Sequence, residues 1–138
     1  MDVDAIDILL VEDSDEDAEL TLRAFKKLRL ANRVMRVKDG AEALERLSKN
    51  GTLRLVLLDL KLPKVGGLEV LERMKHDAAL RMIPVVVLTS SKEDRDLQRA
   101  YELGVNSYIV KPVDFEKFIS SVEQLGFYWL VLNQRPLS

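Results

Sequence analysis

Five times along this chain a short apolar run gives way to a longer segment whose apolar residues recur three and four apart. That alternation is the pattern of βα units, which pack as a parallel sheet with helices on its faces. Ile6 to Val11, Leu53 to Leu58 and Ile83 to Leu88 are nearly continuous in apolar residues, as expected of central strands covered on both sides. Arg33 to Val37 and Asn106 to Val110 mix polar with apolar residues and suit the two edges. Right-handed crossovers then favour the order 2-1-3-4-5, an α/β, doubly wound, flavodoxin-like sheet of five parallel strands with helices on both faces.

Caps and stripes mark the helices. Ser14 and Asp17 form a capping-box pattern ahead of Ala18, Thr21, Leu22, Phe25 and Leu28. A second helix starts near Asp39 and presents Ala43, Leu44 and Leu47 before Gly51. A third follows Gly66 and Gly67, which permit the turn into it, and buries Leu68, Leu71 and Met74. Ser91 with Asp94 caps a fourth that carries Leu97, Ala100 and Tyr101 up to Gly104. After Pro112, Asp114 caps a fifth with the stripe Phe115, Phe118, Ile119, Val122 and Leu125.

Composition narrows the function. Acidic residues number 23 against 21 basic ones, so no basic excess drives attachment to nucleic-acid phosphates. The chain has no cysteine, which removes disulfides and thiolate metal sites, and its start lacks the pattern of a secretion signal. No apolar run approaches the length of a bilayer crossing. A cytoplasmic protein without direct nucleic-acid or membrane contact is expected.

In a doubly wound sheet, ligands sit beyond the carboxyl ends of the strands. Glu12 and Asp13 follow the first strand, Asp59 ends the third, Thr89 the fourth and Lys111 the fifth, so all five should line one rim. Three carboxylates in close quarters repel one another, and a hard divalent cation relieves that repulsion. All-oxygen ligation that keeps waters and accepts a phosphate is Mg²⁺ chemistry. Asp59 is placed to attack a phosphoryl group as a carboxylate nucleophile. The Lys111 ammonium and the Thr89 hydroxyl would each stabilise a phosphoryl oxygen.

The runs ILLVEDSDED, LVLLDLKLPKVGGLEVL, VVVLTSS and SYIVKP, in this order at four strand ends, resemble the receiver domain of two-component response regulators over residues 6 to 125. The resemblance implies that Glu12 and Asp13 hold Mg²⁺, that Asp59 is phosphorylated by a sensor histidine kinase, and that the Lys61 backbone carbonyl completes the metal site. It further implies a switch pair of Thr89 and Tyr108, an essential Lys111, a cis Lys111–Pro112 bond, and a readout surface on the fourth helix, fifth strand and fifth helix. Such a protein is a phosphoacceptor that assists its own phosphorylation and dephosphorylation, not an enzyme in the ordinary sense. Two positions depart from the commonest family pattern, Glu12 where Asp is frequent and Lys61 two residues after the acceptor. Lys61 borders the expected path of attacking water, a role Ser91 would share, and Lys61→Ala should therefore alter the dephosphorylation rate.

Other acids and the histidine carry blander readings. Asp15 to Asp17 read as the solvated acidic start of a helix, and His76 as a surface histidine. A nucleotide-binding enzyme on the same fold would want glycines or hydroxyls after the first strand, where this chain has Glu12-Asp13-Ser14-Asp15. An aspartyl phosphatase would want an acid where Lys61 stands. A scaffold or dimerisation module that works without phosphorylation is the remaining alternative, disfavoured by the intact acceptor set. Residues 1–125 thus read as the receiver domain and 126–138 as an apolar, aromatic extension, with output passing through an unidentified downstream protein. The tail GFYWLVLNQRP resembles that of small response regulators paired with bacterial phytochrome kinases. Either it folds back on its own core, or Phe127, Tyr128 and Trp129 form a homodimer or kinase contact.

Overall fold

The computed structural model describes residues 8–28, 34–49, 53–90, 95–105 and 107–124. Strands and helices alternate: β1 (Ile8–Val11), α1 (Asp15–Leu28), β2 (Val34–Val37), α2 (Gly40–Lys49), β3 (Leu55–Asp59), α3 (Gly67–Lys75), β4 (Val85–Thr89), α4 (Arg95–Glu102), β5 (Ser107–Val110) and α5 (Phe115–Gln124). All strand pairs are parallel, and the order is β2-β1-β3-β4-β5. The doubly wound arrangement expected from the apolar runs is therefore the one observed.

Every residue of β1, β3 and β4 is buried, because each strand is covered on both faces. Alternate side chains feed two cores. Leu9, Val11, Val56, Leu58, Val85 and Val87 pack with Leu47, Val70, Leu71, Met74 and Leu97 of α2, α3 and α4. Ile8, Leu10, Leu55, Leu57, Val86, Leu88 and Ile109 pack with Ala18 and Phe25 of α1 and Phe118 of α5. The Phe25 and Phe118 rings meet edge to face with centroids 4.7 Å apart. Phe118 has no exposed surface, so Phe118→Ala should cost about 3–5 kcal/mol in urea unfolding.

The caps explain where helices start. The Asp17 N–H donates to Ser14 Oγ at 3.2 Å, the Glu42 N–H to Asp39 Oδ1 at 2.8 Å, and the Lys117 N–H to Asp114 Oδ1 at 2.9 Å. Some stripe positions behave otherwise than expected. Tyr101 is 44% exposed, since α4 buries only Leu97 and Ala100 and turns the tyrosine toward the sheet edge. Phe115 is 40% exposed. As the first residue of α5 it leans toward the helix start, where no preceding turn covers it. Leu68 is only half-buried, while Val70 takes the place in the core next to Leu71.

Of the two glycines at the start of α3, only Gly67 is required. A Cβ there would strike the Asp59 carbonyl oxygen and lie 2.6 Å from Leu60 Cα, whereas one at Gly66 meets nothing within 4 Å. Gly67→Ala should therefore shift the segment after Asp59, and Gly66→Ala should be silent, as measured by thermal unfolding. The Ser91–Asp94 cap, Gly51, Leu125 and the 126–138 tail lie outside the described residues, as do the expected strand starts at Ile6, Arg33 and Asn106.

Candidate functional site

Parallel pairing in this register brings the strand exits to one rim. Val11 pairs with Leu58, Asp59 with Leu88, and Thr89 with Val110, so the residues that leave β1, β3, β4 and β5 emerge side by side. Among the described residues, Glu12, Asp13 and Asp59 bring carboxylate oxygens within 4.8 Å of one another. Glu12 and Asp59 are buried and Asp13 is exposed, which leaves one open side. Asp13, Asp59, Lys61, Thr89, Ser90 and Lys111 line a cavity of about 260 Å³ there.

Lys111 reaches into the acids. Its Nζ lies 2.9 Å from Asp59 Oδ2, 3.2 Å from Glu12 Oε1 and 3.1 Å from Asp17 Oδ2. Its backbone N–H donates to the Thr89 carbonyl at 2.7 Å, which ties the fourth and fifth strand exits together. Although burial works against the charge, the hydrogen bond to Asp59 and the two facing carboxylates hold the ammonium pKa above its ordinary value. Burial, the Asp59 hydrogen bond and the Asp59 charge push Glu12 up to about 7, with Lys111 opposing them. The Lys61 N–H donates to Asp59 Oδ1 at 3.0 Å and so fixes the carboxylate from the loop side. On the far side, Lys117 Nζ donates to the carbonyls of Val110 and Pro112 at 3.0 and 3.3 Å, gripping the chain on both flanks of Lys111.

All five rim residues expected from the sequence converge, and Lys61 joins them through its backbone. The Lys111–Pro112 bond is cis, as the resemblance implied. Tyr108 lies within β5, paired with Val87 and half-buried, with its ring edge-on to Tyr101 at 6.1 Å. Beside them a cavity of about 600 Å³ runs between β5 and α5, lined by Tyr101, Tyr108, Lys117 and Ser120 among others. His76 is exposed at the end of α3, its ring nitrogen 2.8 Å from the Glu72 carbonyl and away from the rim.

The expectation for Asp15 to Asp17 needs correction. Asp17 faces the site through Lys111, and Asp15, though exposed, pairs with Arg36 at 2.7 Å. Ser90 was also missed, and nothing but its place after Thr89 points to it.

The donor set fits a hard divalent cation. It is all oxygen and anionic, buried on one side and open on the other, and the chain offers no thiolate to draw a softer metal.

The sequence profile of the response regulator receiver domain matches residues 8–123. The probable methanogenesis regulatory protein FilR2 of Methanothrix harundinacea is 49% identical over 94% of this chain and 86% of its own length. Response regulator Rcp1 of Synechocystis is 37% identical over 89% of this chain and 88% of its own. Among solved structures, the bacteriophytochrome response regulator AtBRR is 51% identical, with a TM-score of 0.84 covering 95% of this chain and 99% of that one. The Mn(2+)-bound form of Rcp1 is 36% identical, with a TM-score of 0.73 covering 94% and 98%.

Proposed function

Because the chain belongs to the response regulator receiver family, we propose that Asp59 is its phosphoryl acceptor, supplied by a histidine kinase of the phytochrome type and dependent on Mg²⁺. The observation that carries this reading is the convergence of Glu12, Asp13 and Asp59 within 4.8 Å, with Lys111 2.9 Å from the acceptor carboxylate. Bound Mg²⁺ would neutralise charge on the incoming phosphoryl group. Glu12, Asp13, Asp59 and the Lys61 carbonyl are the oxygens proposed to hold it. The Lys61 N–H holds Asp59 Oδ1, and Oδ2, which Lys111 contacts, forms the bond to phosphorus as the donor's leaving group departs. Lys111 then exchanges a carboxylate contact for a phosphoryl oxygen, and the Thr89 hydroxyl donates to another.

Signalling follows as a two-state argument. Movement of Thr89 toward the phosphoryl group biases Tyr108 toward burial and reshapes the groove it shares with Tyr101. That groove is the proposed contact for a downstream protein. Support for a phytochrome-type kinase comes from the likeness to the bacteriophytochrome response regulator AtBRR, and a homodimer is proposed as the working state. The receiver-family match supports a signalling role, and among the described residues no helix is long and apolar enough to cross a membrane.

Intact-mass analysis tests the core of the reading. After incubation with Mg²⁺ and a small phosphodonor, the wild type should gain one phosphoryl group and Asp59→Asn none. Addition to the variant as well would remove Asp59 as the acceptor. Lys61→Ala should change the rate at which the group is lost, followed by the same measurement over time.

A further inference from the structure

We propose that Arg36, on edge strand β2, is a positioning residue for the divalent-cation site, acting by holding the main chain of Glu12 without touching the cation. The inference rests on the cation reading above. Two consecutive β2 residues clamp Glu12. Its N–H donates to the Val37 carbonyl at 3.0 Å, and its carbonyl accepts from Arg36 Nε at 2.9 Å. The same guanidinium donates through Nη1 to Asp15 Oδ1 at 2.7 Å, at the first residue of α1. One planar fork therefore spans residues 12 to 15, the segment that carries Glu12 and Asp13. Inside that span the Ser14 N–H folds back onto Glu12 Oε2 at 3.2 Å.

Asp13 is exposed, so no core packing sets its direction, and its carboxylate goes where the main chain of this segment sends it. For stability alone an arginine here is a mixed choice, with one bond to the Glu12 carbonyl set against one orphaned donor. Arg36 pairs in register with Leu10 and shares its sheet face with Val34, which packs against the apolar core. Its side chain is 18% exposed, and Nη2 is buried with no hydrogen-bond partner among the described residues. An apolar side chain would be buried there without an orphaned donor. The pair with Asp15 offsets little of that cost, since Asp15 is 78% exposed. What only arginine supplies is two donors at fixed spacing, one for a carbonyl and one for a carboxylate.

The test uses the full-length chain, with Mg²⁺ binding measured by titration calorimetry and stability by urea unfolding in chelator. Loss of a group that orients a metal ligand typically weakens binding tenfold or more, so Arg36→Gln should weaken Mg²⁺ by roughly tenfold. Asp15→Asn removes the ion pair but leaves the bond to the Glu12 carbonyl, and should stay within about twofold of wild type. Arg36→Lys keeps the charge without the fork and should weaken binding like Arg36→Gln; it decides the matter if the glutamine variant does not fold. Wild-type uptake with unchanged affinity in the folded Arg36 variants would overturn the inference alone. Equal weakening by Asp15→Asn would also overturn it, by assigning the effect to the ion pair. Absence of Mg²⁺ uptake by the wild type would overturn the cation reading, and this inference with it.

Discussion

Lys111→Met is expected to destabilise the cation-free chain by about 3–5 kcal/mol at neutral pH and, at the same time, to tighten its hold on Mg²⁺. The amine lies within 3.2 Å of Glu12, Asp17 and Asp59, two of them buried, and its loss removes the cationic group they share. A methionine fills the space of the stem but supplies no charge. Because the ammonium and a cation share Asp59, removing one favours the other. Urea unfolding should therefore show a large loss in chelator that Mg²⁺ in part restores, while calorimetry shows affinity above wild type. Phosphoryl uptake should fall nonetheless, since nothing then takes the phosphoryl oxygen that the amine is proposed to meet. A variant as stable as wild type in chelator would contradict the pairing described here.

Mg²⁺ affinity should rise about tenfold between pH 6 and pH 8, because a carboxyl with a pKa of about 7 must lose its proton to face a cation. The sign for the cation-free chain is opposite. Between the ordinary value of 4.5 and about 7, folded Glu12 keeps a proton that the unfolded chain has released. Raising pH through that window therefore lowers stability, and the loss is complete above it. Saturating Mg²⁺ should flatten the slope, and Glu12→Gln should abolish both effects. Calorimetry at several pH values, paired with thermal unfolding with and without Mg²⁺, checks both signs together.

The strands and the rim were legible for the same reason. Fully buried parallel strands leave an unbroken apolar signature, and the first polar residue that ends each run comes out at the carboxyl rim of the sheet. Asp59 after Leu55–Leu58 and Thr89 after Val85–Leu88 are of this kind. Contacts made from the side were not legible. Arg36 reads as an ordinary polar residue of an edge strand, and its reach to Glu12 depends on a register that periodicity does not encode. Asp17 looked like one more acid at a helix start, and only the approach of Lys111 from the far end of the chain gives it a task. Tyr101 keeps the right spacing for α4 but sits at the margin of a stripe too narrow to bury it. Burial at a sheet's edge depends on what the neighbouring strand presents, here Tyr108, and that relation is not local in sequence.

Lys117 belongs to the outer wall of the protein, yet it is bolted to the carbonyls on either side of Lys111. The residue proposed to meet the phosphoryl group and the helix that faces the outside world thus share one short stretch of chain. A tug at the first is a tug at the second, with no chain of intermediaries to lose it.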